Sequence, residues 1–132
     1  MNTDETAAIR QTALDYIEGF YEGDASRMER SLHPELAKRI THLDSDTGRS
    51  HLAEMSALTL TQFTRDKANR PTPKAEQIKD VTVLDVFQNA ASAKVVASTW
   101  IDYLHLSKFN ERWVIVNVLW EMKRDHPFTP YW

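Results

Sequence analysis

At 132 residues with 42% hydrophobic and 27% charged side chains, the chain has the composition of one globular domain spanning residues 1–132. A formal net charge of −3 argues against a nucleic-acid or anionic-membrane surface, and no run approaches the ~20 apolar residues of a membrane span. The absence of cysteine excludes disulfides, thiolate metal sites and cysteine nucleophiles; the acidic, polar start MNTDETAAIR is unlike a secretory leader, so a cytoplasmic location is expected.

Ile9, Ala13, Tyr16, Ile17 and Phe20 recur at helical spacing, which predicts a helix over 6–22 that ends at Gly23. Asp24 then has the position of an N-cap for a second helix carrying Met28 and Leu32, closed by His33-Pro34. ELAKRITHL shortens to strand spacing before the polar turn DSDTGR. Leu52, Met55, Leu58, Leu60 and Phe63 predict a third helix over 50–65, with Ser50 as its cap. A polar, proline-containing connector follows, and from Ile78 onward β-branched and aromatic residues predict strands. Helices first and strands later mean an α+β fold with helices packed on one face of an antiparallel sheet.

The last two strands are IDYLHLSKF and RWVIVNVLWEM. With Asn110 and Glu111 as the turn, Phe109 opposes Arg112, and Leu106, Leu104 and Asp102 oppose Ile115, Asn117 and Leu119. Alternation puts Asp102, Leu104, Leu106, Trp113, Ile115, Asn117 and Leu119 on one face. The other face receives Tyr103, His105, Val114, Val116, Val118 and Trp120. The first reads as a core and pocket face; the second is too apolar for water and suits a homodimer interface.

LDYIEGFYEGDASRMERSLHPELAKR followed by DYLHLSKFNERWVIVNVLWEM resembles the nuclear transport factor 2-like superfamily over nearly the whole chain, and most closely its putative lumazine-binding branch. The resemblance implies a cone-shaped fold, three N-terminal helices against a curved antiparallel sheet with a pocket between them, commonly as a homodimer. Related folds include the polyketide cyclases and the steroid isomerases. Tyr16, eight residues before Asp24, matches the isomerases' first-helix tyrosine. Their carboxylate base would fall where this chain has Ala37, Lys38, Arg39 and Ile40, and their second acid near Ala97 and Ser98, so that mechanism is not expected.

Each candidate site residue has an ordinary structural alternative. Tyr16 donates to a ligand oxygen, or packs as a helix tyrosine with its hydroxyl in water. Asp102 is a pocket acid or base, or a structural carboxylate paired to Lys38 or Arg39. His33 shuttles protons, or ends the second helix beside Pro34. Lys38 and Arg39 point opposite ways on a strand, so at most one reaches the pocket. His42, Asp44, Asp46 and His51 lack the glycine and terminal glutamate of a calcium loop, and read as a solvated hairpin tip without metal.

The expectation is therefore a cofactor-free binding protein for a small aromatic or carbonyl-bearing molecule. Its pocket would be lined by Tyr16, Phe20, His33, Arg39, Asp102, Leu104, Trp113, Asn117 and Leu119. The alternative is an acid–base enzyme of the polyketide-cyclase, isomerase or dehydratase kind using Asp102, His33 and Tyr16. Neither nucleic acid nor membrane is an expected partner.

Overall fold

A computed structural model describes residues 3–127. The first helix, α1, runs Thr3–Glu22 and buries Ile9, Ala13, Tyr16 and Ile17 of the expected stripe almost completely; Phe20 is half-buried, and Tyr21 beside it is buried instead. It stops at Gly23, whose φ of +70° suits glycine, and where a Cβ would stand 2.2 Å from the Ala68 backbone nitrogen. Asp24 caps α2 (Ala25–Ser31) by accepting from the Arg27 amide at 3.0 Å. Strand β1 (Leu32–Leu43) and strand β2 (Ser50–Ser56) form a hairpin, after which α3 (Ala57–Lys67) begins.

The third helix thus starts seven residues later than its apolar spacing suggests. Residues 50–56 pair along β1 from Leu43↔Ser50 to Ala37↔Ser56, and the cap is Ser56, which accepts from the Thr59 amide at 3.1 Å, in place of Ser50. Leu52 and Leu58, counted toward a helical stripe, are both exposed. Sheet pairing won over residues 50–56, where Leu52 and Met55 match helical spacing by coincidence, while Leu58, Leu60 and Phe63 do lie in α3.

Strands β3 (Asp80–Phe87), β4 (Ala90–Val96), β5 (Trp100–Phe109) and β6 (Arg112–Met122) complete a six-stranded curved sheet in the order β2-β1-β6-β5-β4-β3. Its pairings are antiparallel except β1 with β6, which run parallel. The fold is α+β, with the core between the helices and the inner sheet face. No helix among the described residues is long and apolar enough to cross a membrane.

The hairpin turns at Asn110 and Glu111, both at positive φ, and Phe109 opposes Arg112 as expected. Leu106 pairs with Ile115, but His105 pairs with Asn117, so Val116 is an extra residue on β6, a β-bulge. Beyond it the side-chain parity inverts. Leu104 faces Val118 and Asp102 faces Trp120, rather than Asn117 and Leu119. Val118 and Trp120 therefore turn into the core, while Leu119, 48% exposed, joins Tyr103 on the outer face.

Candidate functional site

Between the helices and the inner sheet face lies an open cleft of about 640 Å³. Ile17 and Phe20 of α1, Met28 of α2, Leu60 and Phe63 of α3, and Met55, Trp100, Trp120 and Met122 of the sheet supply apolar walls. Trp100 is fixed by aromatic contacts, edge-on to Phe20 at 5.8 Å and tilted to Tyr21 at 5.9 Å. Tyr21 is anchored in turn: its hydroxyl donates to the Ile78 carbonyl at 2.7 Å and accepts from the Ser98 amide at 2.9 Å. Asp66 and Lys67 in the last turn of α3, and Arg70 just beyond it, add charge to the lining of the cleft.

The polar floor is made by two side chains, Tyr16 and Lys38. Strand alternation sends Lys38 inward and Arg39 outward, where Arg39 pairs with Glu54 at 2.6 Å. Lys38 Nζ donates to the Tyr16 hydroxyl at 2.6 Å and stands over the Tyr16 and Trp120 rings, 5.0 and 5.2 Å from their centroids. Behind it lies Asp102, with 0% exposure. One carboxylate oxygen, Oδ2, accepts from Trp100 Nε1 at 2.8 Å. The other, Oδ1, is 3.9 Å from Lys38 Nζ and has no hydrogen-bond partner among the described residues.

Burial sets the protonation of this trio. Desolvation pushes the Asp102 carboxyl above the usual aspartate range despite the opposing pull of Lys38, Trp100 and Tyr16. The same desolvation lowers the Lys38 ammonium, opposed by the Asp102 charge, and raises the Tyr16 phenol, assisted by that charge. The charged forms lose more by leaving water than they regain from one contact at 3.9 Å. Both members of the ion pair are thereby drawn toward neutrality, a condition common where side chains transfer protons.

The family model described as "Putative lumazine-binding" matches residues 4–121. The chain belongs to this family. No curated protein matches. Among solved structures, the chain is similar to a nuclear transport factor 2-like protein of unknown function from Shewanella baltica OS155. That pair has 20% identity and a TM-score of 0.72, with 97% of this chain and 98% of that one covered. A like protein from Silicibacter pomeroyi DSS-3 has 18% identity, a TM-score of 0.72 and coverage of 93% and 100%. Another, from Methylobacillus flagellatus KT, has 18% identity, a TM-score of 0.69 and coverage of 93% and 95%. The nuclear transport factor 2-like fold is thus this family member's fold.

The fold brings together only part of the residue set that the sequence suggests for the pocket. Tyr16 and Phe20 line the cleft, and Asp102 backs it. Leu104 and Trp113 are core residues away from its lining; the Trp113 indole donates to Glu5 Oε2 at 2.7 Å, near the start of α1. His33 is also elsewhere, its ring 4.9 Å from that of Phe109 and its Nδ1 accepting from the Glu35 amide. Asn117 and Leu119 are on the outer face because of the Val116 bulge, where Asn117 meets Arg39 and His105. Of the residues expected at a dimer interface, Val114, Val118 and Trp120 are buried within the protomer, Val116 is half-buried, and Tyr103 and His105 are exposed. His42 and His51 meet edge to face at 4.9 Å across the β1–β2 hairpin, and no group of three or more metal-ligating side chains occurs among the described residues.

Two residues of the cleft were within reach of sequence reasoning. Trp100 has the parity of Asp102 and Leu104, so extending the alternation by one step places it inside. Lys38 was one of two alternatives. Trp120 was hidden by the bulge, and Met28, Met55 and Met122 carry no signal that separates cleft from core.

Proposed function

We propose that this protein binds a compact, partly aromatic molecule bearing a carbonyl or carboxylate, and that it acts as a homodimer. The observation that carries the reading is a cleft of about 640 Å³ with apolar walls and a buried lysine nitrogen at its floor, Lys38 beside Tyr16. Ligand sites generally combine an apolar lining with a few convergent polar groups. A ligand oxygen would accept from Lys38 or Tyr16, while Trp100 and Trp120 would flank a planar ring. Membership of a family described as lumazine-binding supports a small-molecule ligand. The dimer reading rests on the outer sheet face, where Tyr103 and Leu119 are 44% and 48% exposed beside His105 and the half-buried Val116.

A second reading, an acid–base enzyme of the cyclase, isomerase or dehydratase kind, is favoured by the buried Tyr16, Lys38 and Asp102 with their displaced proton affinities. His33 has no part in that version. Native mass spectrometry of freshly purified protein tests the proposal. The expected species is a dimer carrying a small organic molecule; a bare monomer at working concentration would contradict it. Turnover of an enolisable ketone, abolished by Asp102→Asn, would replace binding by catalysis.

A further inference from the structure

We propose that Lys38 captures carbonyl compounds covalently, its amine condensing with an aldehyde or ketone held in the cleft to form a reversible imine. The inference rests on the cleft being a ligand site and goes further in assigning it bond-forming chemistry. Three features of the floor motivate it. Lys38 lines the cleft yet is only 8% exposed, so its amine meets a bound molecule rather than bulk water. Asp102 Oδ1 faces it at 3.9 Å, an acceptor placed to take an ammonium proton. The Tyr16 hydroxyl, 2.6 Å from Lys38 Nζ, is placed to hydrogen-bond the oxygen that leaves.

The other lysines with ion-pair partners are differently held. Lys79 contacts Glu18 at 2.5 Å and Lys108 contacts Glu5 at 2.9 Å, both more open to solvent than Lys38. At Lys108 such pairing favours the ammonium, which has no lone pair to attack with. At Lys38 the partner is farther and the surroundings apolar, which favours the amine, the nucleophilic form.

The step balances without an outside reagent. Asp102 takes one proton from the Lys38 ammonium, and the amine lone pair forms the bond to the carbonyl carbon. The carbonyl π electrons move to oxygen, which receives a second proton from nitrogen, giving a carbinolamine. Asp102 returns its proton to that hydroxyl as the carbon–oxygen bond breaks and nitrogen's lone pair closes the double bond. Ammonium plus carbonyl becomes protonated imine plus water, and the Asp102 carboxylate is regenerated.

Reductive trapping tests this on the full chain, using benzaldehyde as probe and sodium cyanoborohydride as reductant, with intact-mass and peptide mapping. The expected result is one adduct per chain, at the probe's mass less one oxygen atom, on Lys38. It should form at least about tenfold faster there than on any surface lysine. Lys38→Arg should remove it, and Asp102→Asn should slow it by about a hundredfold. If Lys38→Arg does not fold, the mapped position of the wild-type adduct decides. Benzyl alcohol, of similar shape but without a carbonyl, reads the cleft separately through its thermal shift. Stabilisation by benzyl alcohol with labels spread over surface lysines would overturn covalent capture and leave the ligand site standing. Neither stabilisation nor labelling would overturn both.

Discussion

The molecule contains the same trio of groups twice, in opposite surroundings. At the cleft floor, a tryptophan indole and a lysine address Asp102: Trp100 Nε1 at 2.8 Å and Lys38 Nζ at 3.9 Å. At the start of α1, a tryptophan indole and a lysine address Glu5: Trp113 Nε1 at 2.7 Å and Lys108 Nζ at 2.9 Å. The outcomes differ in sign. Hydrogen bonds from Lys108 and Trp113 hold the Glu5 carboxyl below its ordinary range, whereas burial lifts that of Asp102 above it. Solvent, not partner identity, decides whether a carboxylate stays charged. The open trio fastens the helix to the hairpin; the closed one sits where a ligand would.

The largest effect expected from this comparison follows from taking one partner out of the closed trio. Asp102→Ala leaves the buried Lys38 without its counter-ion, and urea unfolding should register a loss of about 3–5 kcal/mol. The double variant Lys38→Met with Asp102→Leu, which replaces the pair by apolar groups, should recover most of it. Equal instability of single and double variants would mean that shape, rather than charge, governs the site.

The pH profiles should separate the trios next. Between the ordinary aspartate pKa and the raised native one, the native chain keeps the Asp102 proton that the unfolded chain has released. The native state therefore binds more protons, and this contribution to stability falls as pH rises through the window. Glu5 behaves oppositely. Its native pKa is lowered, so its contribution is present above the ordinary glutamate pKa and lost as pH falls through the lowered one. Wild type minus Asp102→Asn should decline from acid toward neutral pH, and wild type minus Glu5→Gln should climb; slopes of one sign would break the comparison.

The smallest effect concerns salt. Glu5→Gln should shift the unfolding midpoint slightly at low ionic strength and not at all near 1 M, where screening acts within about 3 Å. The Asp102 variants should keep their deficit there, since a pair with 0% and 10% side-chain exposure has no room for counter-ions.

How far these features could be read from the sequence depended on whether local chemistry signalled them. The α1 stripe, the Asp24 cap, the Asn110–Glu111 turn and the inward Asp102 follow from spacing, capping and parity, and all are found. Parity then failed midway along β6, since nothing in VIVNV marks Val116 as a bulge. Val, Asn and Leu sit equally well on either side of that point. That single residue exchanged Asn117 and Leu119 for Val118 and Trp120 at the inner face. The β2 segment carries a misleading signal, since the Leu52–Met55 spacing of three is helical by chance; on the strand the two point to opposite faces, Leu52 exposed and Met55 buried. Lys38 could be narrowed to one of two neighbours, and choosing between them required the β1 register against β2 and β6.

The cleft should take a carbonyl- or carboxylate-bearing ring through Lys38. Thermal shift of wild type against Lys38→Met, across a panel of aromatic carboxylates, aldehydes and ketones, tests it most directly. A matching compound at a hundred times its dissociation constant should stabilise wild type by about 2.7 kcal/mol. The same compound should leave folded Lys38→Met almost unmoved. Equal stabilisation of the two proteins, or of neither by any compound in the panel, would contradict the account.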